Sequence, residues 1–142
     1  MPDQSDPNCV FCRIIAGREP ASLVYQDERA LAFMDIRPAV PGHLLVIPRS
    51  HAAALAGLDP DDAAHLMRVA QRMAAAVRAS GIRCEGVNLF LADGEAAGQD
   101  VFHVHLHIIP RFPGDGMRIG AAWSFPDRSE LNAQAARIRA AV

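Results

Sequence analysis

The stretch FHVHLHII, residues 102–109, decides how this chain is read. Side chains alternate across an extended strand, so His103, His105 and His107 fall on one face while Val104, Leu106 and Ile108 fall on the other. The apolar face suits a core. The histidine face must line something polar, because three adjacent imidazoles are costly to bury without partners. A wet face fits poorly with so apolar a strand. Two readings stay open on the pattern alone, a metal site of strand histidines or a catalytic centre, since a neutral imidazole serves as ligand, base or nucleophile near neutral pH.

Working outward, residues 101–109 predict a strand stopped by Pro110, and 86–91 predict another, with the glycine-bearing turn 93–99 between them. Upstream, strands are expected at 23–26, 30–34 and 43–47. The polar Asp27, Glu28 and Arg29 suit a tight turn between the first two. Residues 9–16 predict a short helix closed by Gly17. The clearest helix is 59–80: Asp59 is the N-cap, Pro60 the first helical residue, and Gly81 follows the end. Its apolar stripe is Ala63, Leu66, Met67, Ala70, Met73, Ala74 and Val77, with Asp62, His65, Arg68 and Arg72 on the wet side. His65 is read as a solvated helix residue. Residues 129–142 predict a terminal helix capped by Ser129. The order predicts an α+β fold rather than a βαβ sheet: about five antiparallel strands, one long helix and a C-terminal helix.

The chain has 142 residues, 51% apolar and 21% charged, which suits one soluble domain spanning 1–142 with residues 1–8 a disordered tail. A net charge of −2, fourteen arginines without a lysine, and no basic run argue against a nucleic-acid partner. No apolar run reaches a membrane span, and the polar start does not read as a signal peptide. The cytoplasm is the expected location. Three cysteines, Cys9, Cys12 and Cys84, argue against a disulfide scaffold. Cys84 reads as an inert thiol. The Cys9/Cys12 spacing alone is a weak metal signal, and a redox role lacks the strand that would start a thioredoxin-like unit.

Five blocks, in order, settle what periodicity leaves open: CVFCRIIAG (9–17), LAFMDI (31–36), PGHLLVIP (41–48), DGEAAGQ (93–99) and the triad strand running into IIPR (108–111). Over roughly residues 9–123 the chain resembles the histidine-triad family. The resemblance implies hydrolysis or transfer at the α-phosphate of a purine nucleotide derivative, nucleoside phosphoramidates first. Dinucleoside polyphosphate hydrolysis, or a regulatory nucleotide-binding module with little turnover, are the alternatives. It implies that His105 attacks phosphorus to give a nucleotidyl-histidine, that His107 hydrogen-bonds the phosphate or leaving group, and that His43 helps position the triad.

By the same resemblance, Phe11, Ile14, Phe33 and Ile36 surround the base, and Asp35 accepts from ribose hydroxyls. Backbone N–H groups at Gly98 and Gln99 are the expected phosphate cradle. The chain departs from the family pattern at Asp100, where a hydroxyl residue is common, and at Ala92, where an amide is common. A carboxylate beside a phosphate is repulsive unless protonated or turned away, and Asn88 is the candidate to replace the missing amide. Some bacterial-type members carry a structural zinc on residues matching Cys9, Cys12, His51 and His103. A two-fold homodimer with helix 59–80 at or near the interface is also implied.

Overall fold

A computed structural model describes residues 5–142. Five strands form one antiparallel sheet: β1 (Leu23–Gln26), β2 (Ala30–Met34), β3 (Leu44–Pro48), β4 (Gly86–Phe90) and β5 (Leu106–Arg111). Their order is β1-β2-β3-β5-β4. Three helices complete the α+β fold: α1 (Val10–Ile15), α2 (Pro60–Ala79) and α3 (Arg128–Arg139). Residues 5–8, expected to be tail, instead form a turn. The Cys9 N–H donates to the Asp6 carbonyl, and the Arg13 guanidinium donates to the Pro7 carbonyl. Residues 1–4 of the expected tail lie outside the described residues.

The sheet has two buried faces. On one, Ala30, Ala32, Leu44, Val46, Leu106 and Ile108 pack against Leu66, Val69, Ala70, Met73 and Val77 of α2. On the other, Leu31, Phe33, Leu45 and Ile47 pack against Cys9, Phe11 and Cys12 at the start of α1. Strand β3 is buried along its whole length and β2 up to the half-buried Met34, with both faces covered. The α2 caps are as expected: the Asp59 carboxylate accepts from the Asp61 N–H, and Gly81 adopts φ +86°.

Several wet-face residues are not wet. Val69 rather than Met67 completes the α2 stripe, and Met67 is exposed. Asp62 is buried and takes the Arg29 Nε–H at 2.7 Å. His65 meets Asp27 at 2.7 Å, and the Tyr25 hydroxyl donates to the same carboxylate oxygen. These pairs clamp the β1–β2 turn onto α2. Helix α3 is capped by Asp127, whose carboxylate accepts from both the Glu130 N–H and the Ser129 hydroxyl, so Ser129 sits inside the cap rather than forming it. Cys84 is half-buried and donates to the Gly86 carbonyl.

The triad strand differs from expectation at both ends. Pairing starts at Leu106, not at residue 101: Val46 pairs Leu106, Pro48 further along β3 has no N–H to extend the ladder, and the Val104 N–H donates to the Ala52 carbonyl instead. The alternation persists regardless, and Val104 still joins the α2-side core. At the other end, Pro110 does not stop the strand. The Arg111 carbonyl accepts from the Glu85 N–H on the β4 side, so Pro110 faces the β3 side. The last β3 pair there is Leu44–Ile108, and no ladder bond is lost.

Gly42 aims His43 into the site. Its φ of +91° suits glycine, and a Cβ there would stand 2.9 Å from Ile82 Cγ2 and 3.1 Å from Pro110 Cγ. Gly42→Ala should therefore destabilise by about 2 kcal/mol or more. Urea unfolding checks this, and a change below about 0.5 kcal/mol would contradict the geometry.

Candidate active site and metal centre

Three histidines with one chemistry are given three roles by their neighbours. His103 Nε2–H donates to the Pro48 carbonyl at 2.8 Å, which leaves Nδ1 bare. His105 does the reverse: Nδ1–H donates to the His103 carbonyl at 2.7 Å, which leaves the Nε2 lone pair bare. For His107, the chain of partners begins at Ala39. The Ala39 N–H donates to His43 Nδ1 at 3.0 Å, so neutral His43 carries its proton on Nε2 and donates it to His107 Nδ1 at 2.9 Å. His107 then carries its own proton on Nε2. One strand thus presents a ligand nitrogen, a nucleophilic nitrogen and a donor.

The bare Nδ1 of His103 faces Cys9 Sγ at 3.5 Å, Cys12 Sγ at 3.6 Å and His51 Nδ1 at 3.2 Å, and Cys12 Sγ lies 3.3 Å from His51 Nδ1. With metal bonds of about 2.3 Å to sulfur and 2.0–2.1 Å to nitrogen, a tetrahedral zinc needs edges of about 3.3 Å between nitrogens and about 3.6 Å between sulfur and nitrogen. These four separations lie within about 0.3 Å of those edges, so this cluster can hold a metal. Burial first, and then the neighbouring Cys9, push the Cys12 thiol up from its ordinary value. A dication would reverse that and hold thiolates.

Asp35, His43 and His107 also bring three ligand-type atoms together. A cation there would need a bare His43 Nε2, which conflicts with the Ala39 N–H on Nδ1. That group reads better as a hydrogen-bond chain.

Beside the triad lies a cavity of about 630 Å³, lined by His43, His105, His107, Phe11, Ile14, Phe33, Asp35 and Ile36. All eight were expected from the sequence. Phe11 and Phe33 meet edge to face with centroids 5.5 Å apart, and Phe11 also meets the His105 ring at 5.2 Å. Ile36 stands fully exposed at the mouth. One Asp35 oxygen accepts from the Arg37 N–H, and the other stands 3.5 Å from His43 Nε2.

Three expected residues lie elsewhere. The Gly98 N–H donates to the Glu95 carbonyl and the Gln99 N–H to the Gly94 carbonyl, so these N–H groups close their own turn rather than cradling a phosphate. The buried Gln99 side chain ties that turn to the Ala53 carbonyl. Asn88 accepts from the Arg111 guanidinium at 2.7 Å, two pairs further along the sheet than Phe90 and His107, and supplies no amide to the cavity. Sequence reasoning missed several lining residues, the polar Glu19 and Arg37 and the strand-approach residue Val101 among them. Asp100, flagged there only as a departure, lines it too, with a carboxylate oxygen 3.8 Å from His105 Nε2.

Burial first, and then the neighbouring His105 and His43, lower His107 from 6.5 to about 4, and burial lowers His43 as well. Unfolded imidazoles take up protons below about pH 6.5, while folded His107 resists until about pH 4. The unfolded state therefore binds more protons in that window, and stability declines as pH falls through it. Melting temperatures from pH 7 to 4.5 should show the decline, with a shallower slope for His107→Gln. An unchanged slope in that variant would show that His107 is not its source.

The comparisons identify the family and the fold. The HIT domain family model matches residues 16–114, which is most of the chain, and the chain belongs to the HIT family. Protein hit of Bacillus subtilis is 43% identical over 116 residues, covering 82% of this chain and 79% of the relative. The crystal structure of a HIT family protein from Bacillus anthracis superposes with a TM-score of 0.86 at 39% identity, covering 97% of this chain and 99% of that one. A zinc-bound histidine triad family protein from Mycobacterium smegmatis superposes with a TM-score of 0.75 at 42% identity, covering 95% and 98%. No helix among the described residues is long and apolar enough to cross a membrane.

Proposed function

We propose that this protein hydrolyses or transfers at the α-phosphate of purine nucleotide derivatives, with nucleoside phosphoramidates its first substrate class. The observation that carries the reading is the bare His105 Nε2 lone pair at the wall of an aromatic-lined cavity. Phe11 and Phe33, with Ile14 and Ile36, hold the base, and Asp35 accepts from the ribose. His105 Nε2 attacks phosphorus, the bond from phosphorus to the amine nitrogen breaks, and the departing nitrogen takes up a proton from solvent. Water then attacks the nucleotidyl-histidine, the bond from phosphorus to Nε2 breaks to restore the lone pair, and one proton goes back to solvent. His107 Nε2–H hydrogen-bonds the phosphate or the leaving atom, and His43 holds His107 in the donor tautomer. Two-step displacement is the usual reason for covalent catalysis.

Polyphosphate substrates suit the cavity less well. Glu19, Asp35 and Asp100 line it against one guanidinium, Arg37. Turnover on a panel of adenosine and guanosine phosphoramidates and dinucleoside polyphosphates tests the reading. Absence of turnover with intact nucleotide binding would favour the regulatory alternative.

The Cys9, Cys12, His51 and His103 cluster holds a structural zinc in this reading, supported by its tetrahedral edge lengths. The metal ties α1 to the triad segment and takes no part in the chemistry. Free Cys9, Cys12 and Cys84 fit a reducing compartment, the cytoplasm.

The working unit is a homodimer, with α2 at or near the interface. Edge strand β4 leaves Leu89 and Phe90 half-exposed, and α2 leaves Met67 exposed. Trp123 and Phe125 are exposed, and α3 buries none of its residues. Light scattering at micromolar concentration should give about twice the 15.3 kDa chain mass. A monomer mass would remove the dimer.

A further inference from the structure

We infer that Asp100 is an internal stand-in for the substrate phosphate, covering an anion subsite made of the Val101 N–H and the Arg37 guanidinium. The inference rests on the cavity being a nucleotide site. The Asp100 Oδ1 atom accepts from the Val101 N–H at 2.9 Å and stands 3.8 Å from His105 Nε2. Its other oxygen lies 3.9 Å from the Arg37 guanidinium. One carboxylate thus meets the features a phosphate needs here: a backbone donor, a cation and the attacking nitrogen.

His105 does not hold it, because Nε2 has no proton to give. What holds it is weak. The Asp100 side chain is 65% exposed and that of Arg37 90%, so the ion pair is screened and displaceable. A phosphorus poised for attack stands about 3–3.5 Å from the nitrogen, beside the position of Oδ1. Carboxylate and phosphate therefore cannot share the place, by volume or by charge. The usual cradle is closed, since the Gly98 and Gln99 N–H groups are consumed within their turn. The Val101 N–H is the donor that Asp100 keeps. The nearby acids, Glu19 and Asp35, add to the cost of seating an anion, and Arg37 is the one guanidinium lining the cavity. When a nucleotide enters, Asp100 swings out to solvent and the phosphate takes over its partners. Affinity for phosphate-bearing ligands is thereby set below that of the same pocket without the plug.

Binding of AMP, with adenosine as control, is measured by calorimetry on the full-length, metal-loaded protein. Asn at this position keeps an acceptor for the Val101 N–H but loses the charge, whereas Ala removes both. Asp100→Asn should tighten AMP binding about threefold and Asp100→Ala about tenfold, with adenosine unchanged within about twofold. Arg37→Gln should weaken AMP about tenfold and leave adenosine alone. If AMP affinity does not rise in the Ala variant while AMP and adenosine still bind, the stand-in role is overturned and the nucleotide reading survives. Equal gains in Asn and Ala would reduce Asp100 to simple repulsion, which overturns occupancy. Should neither ligand bind wild type or the variants, the nucleotide reading falls and takes this inference with it.

Discussion

Turnover of an adenosine phosphoramidate should fall at least about a thousandfold in His105→Asn, with nucleotide affinity kept within about tenfold of wild type. The asymmetry follows from how the residue is held. An Asn amide can still donate to the His103 carbonyl, as Nδ1–H does at 2.7 Å, so the local backbone keeps its partner. It has no atom where Nε2 stands. In the proposed reading binding relies on Phe11, Phe33 and Asp35; the change removes only the edge contact of the His105 ring with Phe11, and Phe33 still packs on Phe11. Rapid quenching of wild type with a substrate labelled at the α-phosphate should trap an acid-labile, base-stable adduct on His105. Near-normal turnover in the Asn variant would end the covalent mechanism.

Stripping the metal should be nearly as severe, but for stability. Protein purified without chelator should carry about one zinc per chain. Chelation, or Cys12→Ser, should lower the melting temperature by at least about 10 °C, since even a third of the binding energy of a structural zinc moves a domain of this size that far. The sulfur and nitrogen donors come from α1, from the segment after β3 and from the approach to β5, so losing the ion frees three parts of the chain at once. A metal-free protein with an unchanged melting temperature would rule the site out.

Much of this was legible in the sequence, and the misses have a common cause. Strands β1 and β2 and helix α2 were readable because turns, caps and period are local. Eight of the lining residues, from Phe11 to His107, were named because the blocks that carry the family resemblance fix their positions. The misses depended on which partner each group found. Whether Asp62 and His65 face water depends on Arg29 and Asp27 across the fold. Whether Pro110 ends a strand depends on where β3 begins, at Leu44 opposite Ile108. The N–H groups of Gly98 and Gln99 looked free in the sequence, and the turn that consumes them forms only in three dimensions. Asn88 was taken as an amide for the cavity, but Arg111 claims it first.

Two residues with unreactive side chains choose what the reactive ones can do. Ala39, through an amide proton, and Pro48, through a carbonyl oxygen, decide which nitrogen of His43 and which of His103 carries the proton. A search confined to reactive side chains would pass over both. Yet a proline at position 39 would delete the amide proton and remove the instruction that keeps the His43 proton on Nε2, with every histidine still in place. The machinery can thus be disarmed by a change of backbone that no count of its reagents would register.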